Sequence, residues 1–141
     1  MKKIYLAHPR VTETHGGFFL FKLLLEKEFP EWQFVNPFHS PLTEEWYKSP
    51  TLETAIKIIK KDLELIDECD IVLAYLPDMT FEDEQNASIG TAMEIFYTNY
   101  VLHKTVFALT PFNHPWLLNF VDVICRNIED LKTKLRKYDE K

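Results

Sequence analysis

The stretch "TLETAIKIIKKDLELIDECDIVLAYLP", residues 51–77, sets two different periods back to back. In its first part Leu52, Ala55, Ile56, Ile59, Leu63 and Ile66 recur at i, i+3, i+4 and i+7, which predicts a helix with one apolar face. Pro50, Thr51 and Glu53 give that helix a plausible N-terminus, although not a full capping box. "DIVLAYLP" then turns β-rich and apolar on both faces, as a central parallel strand requires. Helix followed directly by buried strand is the unit of an α/β sheet.

The same alternation extends in both directions. "KIYLAH" reads as a first strand. Residues 17–29, "GFFLFKLLLEKEF", read as a helix stopped by Pro30, and "WQFVNP" as a second strand closed by Pro37. "FHSPLTEEWYKSP" reads as a Pro-rich aromatic loop, and "DMTFEDEQN" as an acidic loop. A helix is expected over 88–103, with Ile89, Ala92, Met93, Phe96, Tyr97, Tyr100 and Val101 on one face. "TVFALT" is a fourth strand, "HPWLLNFV" a short helix or turn, "DVIC" a weak fifth strand and "NIEDLKTKLRKY" a terminal helix. No repeat, linker or low-complexity tract interrupts the pattern, so one domain over 1–141 is expected. The fold class is α/β with a mostly parallel sheet. Ligands of such sheets bind beyond the carboxyl ends of the strands. The site should therefore be built by the loops after Ala7, Asn36, Leu76 and Leu109.

Composition narrows the function. The 141 residues are 46% apolar and 14% aromatic, which excludes disorder, and the net charge is −6 with no stripe of Lys or Arg. Nucleic acid is therefore not an expected partner. No apolar run is long enough to span a bilayer, and the start lacks the form of a signal peptide. Cys69 and Cys125 are distant in sequence and form no CxxC pair, so two buried thiols in a cytoplasmic protein are expected. The five histidines show no ligand spacing, and no metal or other cofactor is expected.

The candidate chemistry lies in "ASIGTAMEIF", residues 87–96. Glu94 follows Gly90 by four, so on a helix the two share a face and Glu94 leans back over a residue without a side chain. If the helix starts near Ser88, the amides of Ile89, Gly90 and Thr91 are free first-turn donors. With the Ser88 hydroxyl they would form an anion pocket one turn from a nucleophile. The plain alternative is Ser88 as a simple N-cap and Glu94 in solvent. Asp62 sits at the edge of the 51–67 apolar face, with Lys60 and Lys61 further out, and could divide nucleophile and acid roles with Glu94. Its plain alternative is a helix-surface acid. Tyr5 ends the first strand, where its phenol could orient Glu94 or serve as core. Asp70 reads as a structural turn residue, and the acids at 78 and 82–84 as a solvated loop.

These pieces, "KIYLAHP" at 3–9, "VNPF" at 35–38, "KDLELIDECDIVLAYLP" at 61–77 and "SIGTAMEIF" at 88–96, resemble the nucleoside 2-deoxyribosyltransferase family, including its nucleotide N-glycosidase branch. The resemblance implies a doubly wound, five-stranded parallel sheet of flavodoxin-like order, and a homodimer or higher homo-oligomer, usually a dimer whose partner completes each site. By position Glu94 matches the nucleophile that attacks the anomeric carbon, Asp62 the acid that meets the leaving base, and Tyr5 the tyrosine that positions the nucleophile. Members acting on free nucleosides usually carry Asp where this chain has Ser88. A neutral hydroxyl suits a phosphate that an Asp would repel. "HPR" and "TPFNHPWLLNF" also look like the nucleotide branch, making His8 and Arg10 candidate phosphate or base contacts. His8 replaces a common Gly, and Asn113 and Asn119 compete for the place of a partner-derived Asn.

The resemblance thus implies a small-molecule substrate, a nucleoside 5′-monophosphate, cleaved to free base and sugar phosphate. Deoxyribosyl transfer between free bases is the alternative. A catalytically silent nucleotide-binding module is the third reading, because fold alone does not establish activity.

Overall fold

The alternating pattern forms a single sheet of five parallel strands. The computed structural model describes residues 2–14, 16–77 and 84–140. The strands are β1 (Lys3–Ala7), β2 (Gln33–Val35), β3 (Ile71–Tyr75), β4 (Val106–Leu109) and β5 (Val123–Cys125), in the order β2-β1-β3-β4-β5. Tyr5 lies opposite Val35 of β2 and Val72 of β3. The chain winds one way to β2 and the other way from β3, which puts the topological switch point between β1 and β3.

Strand residues alternate between the two faces, and so build two cores. On one face Ile4, Leu6, Ile71, Leu73 and Phe107 pack under α1 (Gly16–Glu28) and α6 (Ile128–Asp139), through Phe18, Phe21, Leu25, Leu131 and Leu135. On the other, Tyr5, Ala7, Val72, Ala74, Val106 and Ala108 pack with Ile66 of α3 (Leu52–Glu68) and Ile95 of α4 (Glu84–Phe96). Tyr5 is therefore presented toward α3 and α4, not toward α1. Cys69 and Cys125 are free and buried, as expected.

Local signals set several element ends. Thr51 caps α3, its hydroxyl accepting from the Thr54 amide at 3.1 Å. At the other end Lys104 donates to the carbonyls of Ile66, Asp67 and Cys69 at 3.2, 2.6 and 2.9 Å, closing the open carbonyls of α3. Asp70 accepts from the Lys3 amide at 2.8 Å, the structural role its sequence position implied.

Three expectations need correction. The stretch taken as a loop after Pro37 contains a helix, α2 (Pro41–Lys48), and its start is conventional: Ser40 accepts from the Leu42 amide and Pro41 occupies the first turn. The short helix expected near "HPWLLNFV" is α5 (Pro115–Phe120). Helix α4 begins at Glu84, a turn before Ser88, and ends in one π turn, Tyr97–Val101. The amides of Ile89, Gly90 and Thr91 consequently lie inside the helix and bond to its own carbonyls, so they form no open anion pocket. Finally, the apolar stripes on α3 and α4 face the sheet only in part: Ile66 does, and most of the remaining residues do not. Thr54 and Ile66 are the buried residues of α3, while Leu52, Ile56 and Ile59 stay more than half exposed. On α4 and its π turn, Thr91, Ile95 and Thr98 turn inward, while Ile89, Met93, Tyr100 and Val101 turn outward. Periodicity locates an apolar stripe, but not what covers it.

Candidate active site

Three side chains from three elements meet beside the switch point. Tyr5 projects from the middle of β1 and is fully buried. Its hydroxyl donates to Glu94 Oε2 in a short hydrogen bond. Glu94 reaches that point because it shares the inward side of α4 with Thr91, Ile95 and Thr98, at spacings of three and four. Asp62 approaches from α3, its side chain 21% exposed. The phenol, the two carboxyls and their helices thus form a half-buried acidic cluster.

The electrostatics follow from this crowding. Burial pushes the Glu94 carboxyl up to about 8; the Tyr5 hydrogen bond opposes that rise, while the nearby Asp62 charge adds to it and Lys61 offsets part of it. Burial also raises Asp62, against the opposing pull of Lys61. Tyr5 is pushed far above the ordinary phenol range, first by burial and then by the Glu94 and Asp62 charges, so it remains a donor at every physiological pH. Such a site holds one carboxyl ready to be ionised and a second ready to share a proton. Among the described residues no group of His, Cys, Asp and Glu is arranged to hold a metal.

The remaining candidates are placed elsewhere or already engaged. His8, read as a phosphate or base contact, is buried on the other face of the sheet, stacked on Phe18 at 3.8 Å between ring centroids. Its Nδ1 donates to the Leu6 carbonyl at 2.9 Å, and Nε2 meets Glu13 Oε1 at 2.7 Å. Glu13 also accepts from Asn36, and these bonds hold its carboxyl below the usual range although burial opposes them. Arg10 is exposed and lies over the Tyr47 ring of α2, 3.6 Å from its centroid. Asn113 accepts from Arg126, and Asn119 donates to the Pro115 carbonyl at 2.9 Å. Gly90 is exposed, with open space among the described residues where a Cβ would lie, and Ile89 is exposed beside it. Ser88 lies within α4, but its side chain falls outside the described residues.

Two groups of the site escaped the sequence reading. Lys61 was expected to point away, yet its side chain is only 19% exposed and its Nζ lies 3.0 Å from Asp62 Oδ1. Thr91 is 2% exposed, and its hydroxyl makes no hydrogen bond among the described residues. The threonine was visible in sequence but had no partner to mark it.

No protein-family model matches the chain, and no curated protein does. Solved structures do. The 2-deoxyribosyltransferase of Bacillus psychrosaccharolyticus superposes with a TM-score of 0.65 at 20% identity, over 92% of this chain and 90% of that one. A conserved protein from Enterococcus faecalis gives 0.73 at 15% identity, over 98% and 99%. The CMP N-glycosidase BcmB of Clostridium botulinum gives 0.56 at 22% identity, over 97% and 100%. Across nearly its whole length, this chain therefore has the fold of a 2-deoxyribosyltransferase and of a CMP N-glycosidase.

Proposed function

We propose that the protein cleaves the N-glycosidic bond of a nucleoside 5′-monophosphate. The observation that carries this reading is the Tyr5–Glu94 hydrogen bond with Asp62 beside it. Ionised Glu94 attacks C1′ of the sugar, and the bond from C1′ to the base nitrogen breaks with its electrons leaving on the base. Tyr5 fixes the Glu94 rotamer. Asp62 meets the departing base and supplies or shares the proton it takes up. Water then hydrolyses the glycosyl ester, restoring Glu94 and releasing the sugar phosphate.

The preference for a phosphate rests on Ser88, where an Asp would repel a dianion. With the helix amides closed off, the phosphate depends on side chains, Ser88 among them, and on Arg10 only if its guanidinium leaves the Tyr47 ring. Deoxyribosyl transfer to a second base uses the same Glu94 ester, and the higher TM-score with the Bacillus 2-deoxyribosyltransferase, 0.65 against 0.56 for the CMP N-glycosidase, supports it as the second reading. A homodimer fits both readings. The outward apolar residues Ile56, Ile59, Met93 and Tyr100 lie on the two helices that carry the carboxylates, so a second copy covering them would also wall the site.

The test is a paired incubation followed by chromatography. One tube holds a panel of nucleoside 5′-monophosphates, the other deoxynucleosides with a different free base. Base and sugar phosphate in the first tube alone support the hydrolase. New nucleosides in the second tube establish the transferase and overturn the role given to Ser88.

A further inference from the structure

Lys61 is adjacent in sequence to Asp62, and neighbours on a helix do not normally face each other. Here the lysine folds back. Its Nζ donates to the Pro37 carbonyl at 2.6 Å and sits 3.0 Å from Asp62 Oδ1. Pro37 belongs to the segment that leaves β2 and leads into α2, so one ammonium ties that segment to a carboxylate of the site. The pairing with Asp62 is off the hydrogen-bonding direction, and Asp62 Oδ1 makes no aligned hydrogen bond among the described residues. The lysine is held by the Pro37 carbonyl and acts on Asp62 mainly through its charge.

We propose that Lys61 is a positioning residue whose charge favours loss of a proton from the pair of carboxyls while its ammonium holds the segment after β2 against the site. The claim rests on the reading of Tyr5, Asp62 and Glu94 given above. The titratable and charged groups facing this point are Tyr5 from β1, Asp62 and Lys61 from α3 and Glu94 from α4, with the Cys69 thiol beyond Tyr5. With both acids ionised, the cluster carries two negative charges in a half-buried setting, and the ammonium brings this to one. Ionised Glu94 is the form that attacks, so a fixed positive charge beside the pair widens the pH range in which that form exists. A lysine held on a backbone carbonyl does this without touching the substrate.

Lys61→Gln keeps an N–H for Pro37 and loses the charge; Lys61→Met loses both; Lys61→Arg keeps the charge. In Lys61→Gln the acid limb of the pH–rate profile is expected to move up by about one pH unit. kcat at pH 7 should fall about tenfold while KM changes little, and Lys61→Arg should recover most of the loss. A profile coincident with wild type would overturn the proposal. So would a large rise in KM for the monophosphate with an unmoved limb, which would make Lys61 a substrate contact. Carboxyl-carbon NMR titration of the unliganded protein gives a readout independent of turnover. Glu94 and Asp62 are both expected to titrate higher in Lys61→Gln than in wild type. If that shift occurs in a protein that turns over no nucleotide or nucleoside, the functional reading fails and the role of Lys61 stands. If neither carboxyl moves, the role of Lys61 falls.

Discussion

Glu94 is a carboxyl whose pKa rises on folding, from an ordinary value near 4.5 to about 8. Its protonated form is the one the folded protein favours. Stability from this group is therefore complete below about pH 4.5 and is lost as pH climbs through about 8, where the buried acid must ionise. Glu94→Gln removes that penalty. The variant is expected to match wild type in thermal stability at pH 5 and to exceed it at pH 9, by about 2 kcal/mol once solvent access to the half-buried group is discounted. Equal melting curves at pH 9 would count against the burial of this carboxyl. Because the ionised form attacks, kcat/KM of the wild type should rise about tenfold per pH unit as pH approaches about 8 from below. A profile flat from pH 5 to 9 would contradict the assignment. Gly90 offers a sharper probe. Nothing among the described residues opposes a Cβ there, and Ala is the better helix former by about 1 kcal/mol. Gly90→Ala should stabilise the fold; a simultaneous loss of activity would mean that substrate or a second copy occupies the space. The residue level is also where the sequence was most informative. The contact of the Tyr5 phenol with Glu94 was one of the two readings open to Tyr5, although Tyr5 lies in the middle of β1 and not at its end, and Gly90 is exposed instead of sharing the site. The folding back of Lys61 could not be read, because it depends on a carbonyl of Pro37, distant in sequence.

At the scale of elements, strand identity was legible because buried parallel strands are short, apolar on both faces and bounded by turn residues. Helix ends were less so. The start of α4 was placed at Ser88 because Ser followed shortly by Gly resembles a cap, but the helix already includes residues 84–87, the first three of which read as the end of an acidic loop. Helix α2 was missed because two prolines and three aromatics masked an eight-residue helix with no buried residue. The close of α3 illustrates an interaction that sequence does not announce. Lys104 gathers three of its terminal carbonyls, immediately after His103 turns the chain with φ 54°. Lys104→Met is expected to destabilise the protein by about 1–2 kcal/mol, through carbonyls left without a donor and loss of a cation at the negative end of the helix. Chemical denaturation measures it; a change within about 0.5 kcal/mol, the range of an ordinary surface substitution, would show that water replaces the ammonium at no net cost.

For the whole molecule, the order of the sheet explains why these three residues meet. Tyr5 is on β1, at the switch point, and the helices entering and leaving β3 lie over it on one face. The outer surface of those helices is largely apolar, and it holds most of the residues the sequence reading placed on their apolar faces. The same residues read as a self-association surface once the fold shows them exposed. Size-exclusion chromatography with light scattering should report a dimer. Ile59→Asp combined with Met93→Asp should give a folded monomer with impaired activity. A monomeric wild type of full activity would remove the second copy from the account.

The central claim is covalent attack by Glu94, and the most direct measurement is intact-protein mass spectrometry. The protein would be quenched within seconds of mixing with 2′-fluoro-arabino analogues of the nucleoside 5′-monophosphates, whose fluorine slows hydrolysis of the glycosyl ester. The account expects a mass increase of one fluorinated sugar phosphate, mapped to the peptide containing Glu94 and missing from Glu94→Gln. Release of base with no adduct, from a Glu94→Gln protein as active as wild type, would contradict it.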